Sequence, residues 1–373
     1  FIGGLAITAG DFLASAGCTH MSHRIVKADK KVYTTVRLNR ERNSGEGSYH
    51  LISIDRFGRL ALDVALPGRS HGVVISPKND ELVVFARRPG YFFQVRDRSS
   101  GRLIFEAKPP EGHCFTGHGC YSGEGAHLYV SLNRYEDGMG VIAQYYCENW
   151  KSSPNLCAAR GMGLHEIVAD VSVEKLVVAN GGVHTHPDYG RAKLNLDTMS
   201  PTLGELDFKR FEDEAKAWSL SEDLHQLSIR HLAFDTCGEH LLGLQYYGHS
   251  MVPQPILAYK NMESLVLIEM PENILKKAHS YAGSVVIDCS GALGAVSCPR
   301  GGMVVFVHRE ASGYRFFSSY ELTDVCGLAA GDEKGQFYLS SGKGDVVLYD
   351  SVEGIVLDSW FYPFSFDNHM IFG

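Results

Sequence analysis

The chain has 373 residues, 45% hydrophobic and 21% charged, with a formal net charge of −8. That composition is ordinary for a folded globular protein, and its acidic balance excludes the basic footprint of a nucleic-acid binder. The one mostly apolar N-terminal stretch is too short to span a bilayer stably, so no transmembrane span is expected.

Residues 1–17, FIGGLAITAGDFLASAG, read as the remnant of an export signal. They end in Ala14-Ser15-Ala16, a small-residue pattern suited to cleavage, although Asp11 interrupts the apolar run. Cys18 follows directly, which makes a lipid anchor the alternative to simple release. A periplasmic location is therefore expected. Residues 18–373 show no linker or shift in composition and are expected to form one domain.

Three strand-like segments come next, KVYTTVRL, HLISIDR and RLALDVALP, followed by a repeat. His71 opens HGVVISP, His118 opens HGCYSG, His165 opens HEIVADV, His231 opens HLAFD and His369 opens HMIFG. The first three of these histidines are spaced 47 residues apart. A period of roughly 40–50 residues built from short strands is the signature of a β-propeller. ELVVFA, YFFQVRD and LIFEAKPP complete the first unit; AHLYVSL and GVIAQYY belong to the second, whose fourth strand is poorly marked. KLVVAN and LGELDF belong to the third, and HLLGLQYY, PILAYK and SLVLIEM to the fourth. Ser284 and Cys326 open the fifth and sixth. The fold expected is all-β, a seven-bladed propeller, its last blade closed by three N-terminal strands and one C-terminal strand. Such closure removes open sheet edges. FKRFEDEAKAWS and PENILKKAHS, the latter with Pro271 at its start, read as short helices.

Blade strands alternate in direction, so the start of each innermost strand shares a face with the loop after the second strand. Those loops carry Arg87, Arg88, Arg134, Arg191, Lys193, Arg300 and Lys343. A mainly cationic funnel over a ring of histidines favours an anionic ligand. His71, His118, His165, His231 and His369 are the candidate metal ligands, because imidazole serves zinc, copper, iron and nickel. The competing reading makes them structural, as in WD-repeat propellers, where a Gly-His pair hydrogen-bonds within its own blade. Gly117-His118 matches that pair, but no blade has the accompanying Trp-Asp.

Further candidate ligand-binding residues are Arg87, Arg88, Asn180, His184, His186, Arg191, His225, Arg230 and Gln245. His184-Thr-His186-Pro-Asp188 is similar to the HxHxD of metallohydrolases, without the histidine that should follow the aspartate. The alternative is a polar loop ordered by Asn180, Asp188 and Arg191, long enough to act as a lid. Arginine holds carboxylate or phosphate with paired hydrogen bonds. No GxSxG, HExxH, P-loop or dinucleotide GxGxxG is present. The nine cysteines form no CxxC pair. Cys147 and Cys157, which bracket a polar loop, are the best disulfide candidates, against burial as small apolar residues.

The segments VVANGG-HTHPDYGRAKLNLDTMSP, LHQLSIRHLA, HGVVISP and SCPRGG together resemble a family of exported bacterial seven-bladed propellers of unknown function. The resemblance runs from about residue 30 to the C-terminus. It implies a twin-arginine signal, with FIGG similar to the residues just after the arginine pair. It also implies a neighbourhood of imelysin-type iron-uptake proteins and a dihaem-peroxidase-like partner.

Three functions follow as expectations. The first is a periplasmic protein that binds a metal ion or anionic metal complex at the histidine-lined mouth, with copper, iron or haem as the cofactor, linked to metal acquisition or redox chemistry. Its partners would be periplasmic iron-uptake proteins or cytochromes. The second is a lactonase-like or redox enzyme acting on a small anionic substrate in the same pocket. The third is an interaction scaffold with structural histidines.

Overall fold

The computed structural model describes residues 30–38, 48–171, 174–190, 192–207, 216–235, 238–249 and 251–373. The expected export remnant, Cys18, Arg191 and Cys237 lie outside these residues. Seven antiparallel sheets follow one another along the chain, six of them built from consecutive strands. The seventh pairs the C-terminal strand Phe364–Phe372 with Lys31–Leu38, then Tyr49–Asp55 and Leu60–Leu66. This is the seven-bladed propeller and the closure that the repeat predicts.

The innermost strands are Ser70–Ile75, His113–Tyr121, Leu164–Asp170, Leu227–Phe234, Ser284–Ile287, Val325–Ala330 and Phe364–Phe372. Each packs beside the next, and the last returns to the first, so they ring a common axis. Large side chains seal the blades against one another. Phe93 of the first blade meets Phe115 and Tyr145 of the second edge-on, with ring centroids 5.4 and 4.9 Å apart. Burying one such side chain contributes roughly 1.5–3 kcal/mol.

Two local expectations are corrected. The tail of FKRFEDEAKAWS is no helix: Lys216–Trp218 is the edge strand of the third blade, and 208–215 lie outside the described residues. Its pairing with Leu203–Glu205 satisfies the backbone through the sheet instead. Cys147 and Cys157 are not joined to each other by a disulfide. Cys147 packs with Trp150 and Tyr145 on the first-blade side of its sheet, whereas Cys157 packs with Cys120 and Ile142 towards the third blade. The helix after Pro271 is present, at Glu272–Ala278.

The inner strands share one irregularity. Their pairing slips at Ser70/Val73, Phe115/Gly119, Leu164/Glu166, Ile229/His231 and Val325/Leu328, and opposite residues 367–369 of the C-terminal strand. Only the Ser284 strand keeps an unbroken register. In a regular strand, neighbours face opposite sides; a bulge re-aims a side chain. Here five of the six slips fall at the histidines, and the sixth falls at Cys326.

Candidate functional site

The bulges turn His71, His118, His165, His231 and His369 towards one another across the axis. Ring centroids in blade order are 4.8 Å (His71–His118), 5.2 Å (His118–His165), 4.7 Å (His165–His231) and 5.0 Å (His231–His369) apart. His369 and His71 close the circle at 4.4 Å. Five imidazoles complete a seven-bladed ring because the fifth blade contributes the small Ser284. In the sixth blade the Cys326 thiol turns away, to the carbonyls of Ser340 and Phe366. Glycine allows the close approach: a Cβ on Gly117, at φ +104°, would sit 3.0 Å from the His71 ring.

The polar partners of these rings come from other blades, unlike the within-blade pairing of a structural Gly-His. Nδ1 of His231 lies 3.1 Å from Glu166 Oε2, and Nδ1 of His118 lies 3.5 Å from Glu166 Oε1. Nδ1 of His71 faces Asp367 Oδ1 at 3.6 Å, and Nδ1 of His369 faces Ser284 Oγ at 3.5 Å. Nε2 of His71 and Nε2 of His369 are 3.2 Å apart. His165 is turned the other way, with Nε2 2.6 Å from Arg230 Nη2. Two overlapping triads, His71–His118–His165 and His118–His231–His369, each place their ligand atoms within 4.8 Å of one another. Three of the buried nitrogens of this ring, His71 Nδ1, His118 Nε2 and His165 Nδ1, have no hydrogen-bond partner.

Burial, aided by the charges of neighbouring histidines and Arg230, pulls His118, His165 and His231 well below the usual histidine range. His369 falls likewise, against the pull of Asp367. His71 is lowered less, because Asp367 opposes the effect of burial. Burial pushes the Glu166 carboxyl up to about 8, although it accepts the Leu232 N–H at 2.9 Å. Asp367 behaves oppositely. Burial would raise it, but His71 and the Arg69 guanidinium, 2.6 Å from its Oδ2, hold it below the carboxylate range.

On one side of the ring the charges are cationic. Arg88 is lowered by burial and by the charges of Arg230 and Arg87, so three guanidiniums share this region. Among the described residues no carboxylate pairs with Arg88 or Arg230. Arg230 donates from Nη1 to the Tyr247 hydroxyl at 2.5 Å, which donates to Gln245 Oε1 at 2.9 Å. The 181–201 loop reaches this side through Lys193, whose ammonium stands 4.8 Å from the centre of the Tyr247 ring. Two rim cations expected in the funnel are engaged elsewhere: Arg134 pairs with Asp137, and Arg300 stacks on Tyr281.

The remaining candidates lie apart from the ring. His184 Nε2 is bonded to the Tyr135 carbonyl at 3.1 Å, and His186 Nδ1 accepts the Asp188 N–H at 3.2 Å. The HTHPD loop is thus held by a bond to the second blade at His184 and by a local one at His186. Asn180 donates to Ala159 O of the second blade and to Thr202 Oγ1 of its own, third blade. His225 bonds the Glu222 carbonyl and lines a separate surface cavity of about 760 Å³ with Asp197, Glu222 and Asp223. Sequence reading missed Glu166 and Asp367 as site residues. The adjacency of Glu166 to His165 was the available signal, but period-two alternation assigns neighbours to opposite faces.

On the other side of the ring an axial cavity of about 560 Å³ reaches His118, Glu166, Ser284 and His369. Among the described residues no helix is long and apolar enough to cross a membrane.

Residues 64–373 match the family described as "Protein of unknown function (DUF1513)". No curated protein matches the chain. Among solved structures it is similar to the Pseudomonas aeruginosa periplasmic gluconolactonase PpgL, at 15% identity and TM-score 0.61, covering 91% of this chain and 99% of that one. It is similar to Kuenenia stuttgartiensis hydrazine synthase at 11% identity and TM-score 0.59, covering 84% and 89%. Apo AztD from Citrobacter koseri aligns at 10% identity and TM-score 0.54, covering 92% and 98%. At these identities the likeness is one of fold.

Proposed function

For this chain, which belongs to the DUF1513 family, we propose a transition-metal centre on the propeller axis, held by Nε2 of His71, His118, His231 and His369. The observation that carries this reading is the orientation of the four rings. Each turns Nδ1 to a carboxylate or hydroxyl of another blade and leaves Nε2 as the ligand atom. Metal-binding histidines are oriented in this way by outer carboxylates. The 3.2 Å between Nε2 of His71 and Nε2 of His369 also suits two ligands on one ion, since metal–nitrogen bonds of about 2.0–2.1 Å in a tetrahedron put the nitrogens roughly 3.3 Å apart.

With a metal on Nε2, Glu166 would accept from both His118 and His231, and Asp367 would accept from His71. Neighbouring rings only 4.4–5.2 Å apart leave no room for a macrocycle between them, which favours a single copper or iron ion over haem. The Arg87–Arg88–Arg230 region would hold a carboxylate or similar anion beside the ion, so a metal complex with an anionic ligand fits the cationic side. Export to the periplasm, with a place in iron or other metal acquisition or in redox chemistry, completes the proposal.

The test is elemental analysis and an absorption spectrum of protein purified without chelator or affinity metal, followed by titration with Cu(II), Fe(II) and Zn(II). About one metal per chain is expected, lost in a His118→Ala/His231→Ala variant and kept in Arg88→Ala. A double variant that takes up metal as well as the unaltered protein would overturn the reading.

The guanidinium cluster favours a second reading, a lactonase-like or redox enzyme on a small anionic substrate. Loss of turnover in Arg230→Ala with metal content unchanged is the result expected there.

A further inference from the structure

We propose that the axial cavity on the side of the ring away from Arg88 and Arg230 is a separate binding site, for an uncharged small molecule with an apolar body and one hydrogen-bonding end. The inference does not depend on a metal. The inner strands continue past the histidines, and their wall is aliphatic: Val74, Ile75, Val168, Ala169, Val286 and Ile371 all face this cavity. Each of the six is only half-buried. They therefore remain partly wet at the centre of the molecule, although the contacts between blades are already made by buried residues such as Phe85, Phe93 and Phe115. Leaving aliphatic surface in water costs about 25 cal/mol per Å², which covering it with an apolar ligand recovers.

The chemistry of the lining fixes the class of ligand. Among the described residues lining the cavity there is no lysine, arginine or aspartate, and the one acidic side chain, Glu166, stands at the floor. An anion would find no cation in the walls, in contrast to the guanidinium side, and an unpaired charge is costly to bury. The floor groups are polar: the Ser284 hydroxyl and the Glu166 carboxyl, with the His118 ring beside them. They offer hydrogen bonds to one end of a molecule whose remainder lies along the aliphatic wall. The volume, about 560 Å³, falls within the range of about 300–1,000 Å³ typical of small-molecule sites. The ring thus separates two mouths of opposite chemistry.

The probe is N-phenyl-1-naphthylamine, a neutral dye whose emission rises in apolar surroundings. Its counterpart is 1-anilinonaphthalene-8-sulfonate, the same aromatic body with a charge. Metal-free protein is titrated with each, alongside Ala169→Trp, which fills the cavity, Val286→Asp, which charges its wall, and Arg88→Ala on the opposite side. Thermal unfolding identifies which variants remain folded. The expected result is saturable binding of one neutral dye per chain, weakened at least tenfold in whichever cavity variant is folded and unchanged in Arg88→Ala, with the sulfonate at least tenfold weaker. No saturable binding, equal binding of both dyes, or binding unchanged in a folded cavity variant would overturn the proposal. Metal content, measured separately, is the readout of the metal centre, so either idea can fail alone.

Discussion

Arg230 and His165 meet across the boundary between the third and fourth blades, with Nη2 of the guanidinium 2.6 Å from Nε2 of the imidazole. A guanidinium only donates, so His165 accepts at Nε2 and carries its proton on Nδ1. That contact gives His165 a different role from the other four rings. It occupies Nε2 with a cation, whereas theirs remain available. The same arginine reaches Gln245 through Tyr247, tying the ring to the cationic side.

Replacing Arg230 should therefore act on anion binding and on His165 together. Arg230→Ala removes a charge-assisted bond of roughly 1.5–3 kcal/mol. It should weaken binding of a carboxylate probe such as citrate by tenfold or more, measured calorimetrically on the metal-loaded protein. Metal stoichiometry should stay at its original value. A matching loss of metal would place His165 among the ligands.

Glu166→Gln tests how the rings are oriented. One carboxylate faces Nδ1 of both His118 and His231, and an amide can accept from only one of them while its NH₂ opposes the other. Loss of such an outer partner typically costs about 10–100-fold in metal affinity. Competition with a chromophoric chelator should show a fall in that range.

The buried rings also predict acid sensitivity. Their folded pKa values lie below the unfolded value of about 6.5, because burial disfavours the cation. Stability from this source is complete above pH 6.5 and is lost as pH falls towards the folded values, when the unfolded chain takes up protons first. Each imidazole contributes a slope of up to about 1.4 kcal/mol per pH unit. Glu166 acts oppositely: its pKa is raised to about 8, so its contribution declines from pH 4.5 to 8. Several histidines outweigh one carboxyl, and urea midpoints of metal-free protein should fall between pH 6.5 and 5. His118→Gln/His231→Gln should flatten that fall.

Asp367 links ring and closure. It accepts from Arg69 at 2.6 Å and faces His71, so it joins the C-terminal strand to the first blade. Asp367→Ala should destabilise the fold by roughly 1.5–3 kcal/mol, the worth of a charged hydrogen bond. Unfolding by denaturant measures the loss. An unchanged midpoint would mean that pairing with Lys31–Leu38 closes the circle unaided.

The repeat of short strands, with His71, His118 and His165 at one position in it, determined the architecture before any contact was known. Alternation and turn residues are local, and the three N-terminal strands left one vacancy that only the His369 strand could fill. Local reading failed where backbone needs were met from elsewhere. Lys216–Trp218 became an edge strand because the third blade offered it partners. Cys147 and Cys157 are near in sequence but fall on opposite sides of one sheet. The sequence also marked Arg87 and Arg88 as neighbours of the histidines, since strand direction fixes which loops share a face, and Arg230 as the residue leading into His231. Tertiary structure alone decided the chemistry of the ring. Bulges broke the two-residue period, brought Glu166 to the same side as His165, and let Asp367 of the last blade meet His71 of the first. Those contacts span residues from 48 (166 − 118) to nearly 300 positions apart. No spacing rule encodes them, because they exist only once seven blades have closed around one axis.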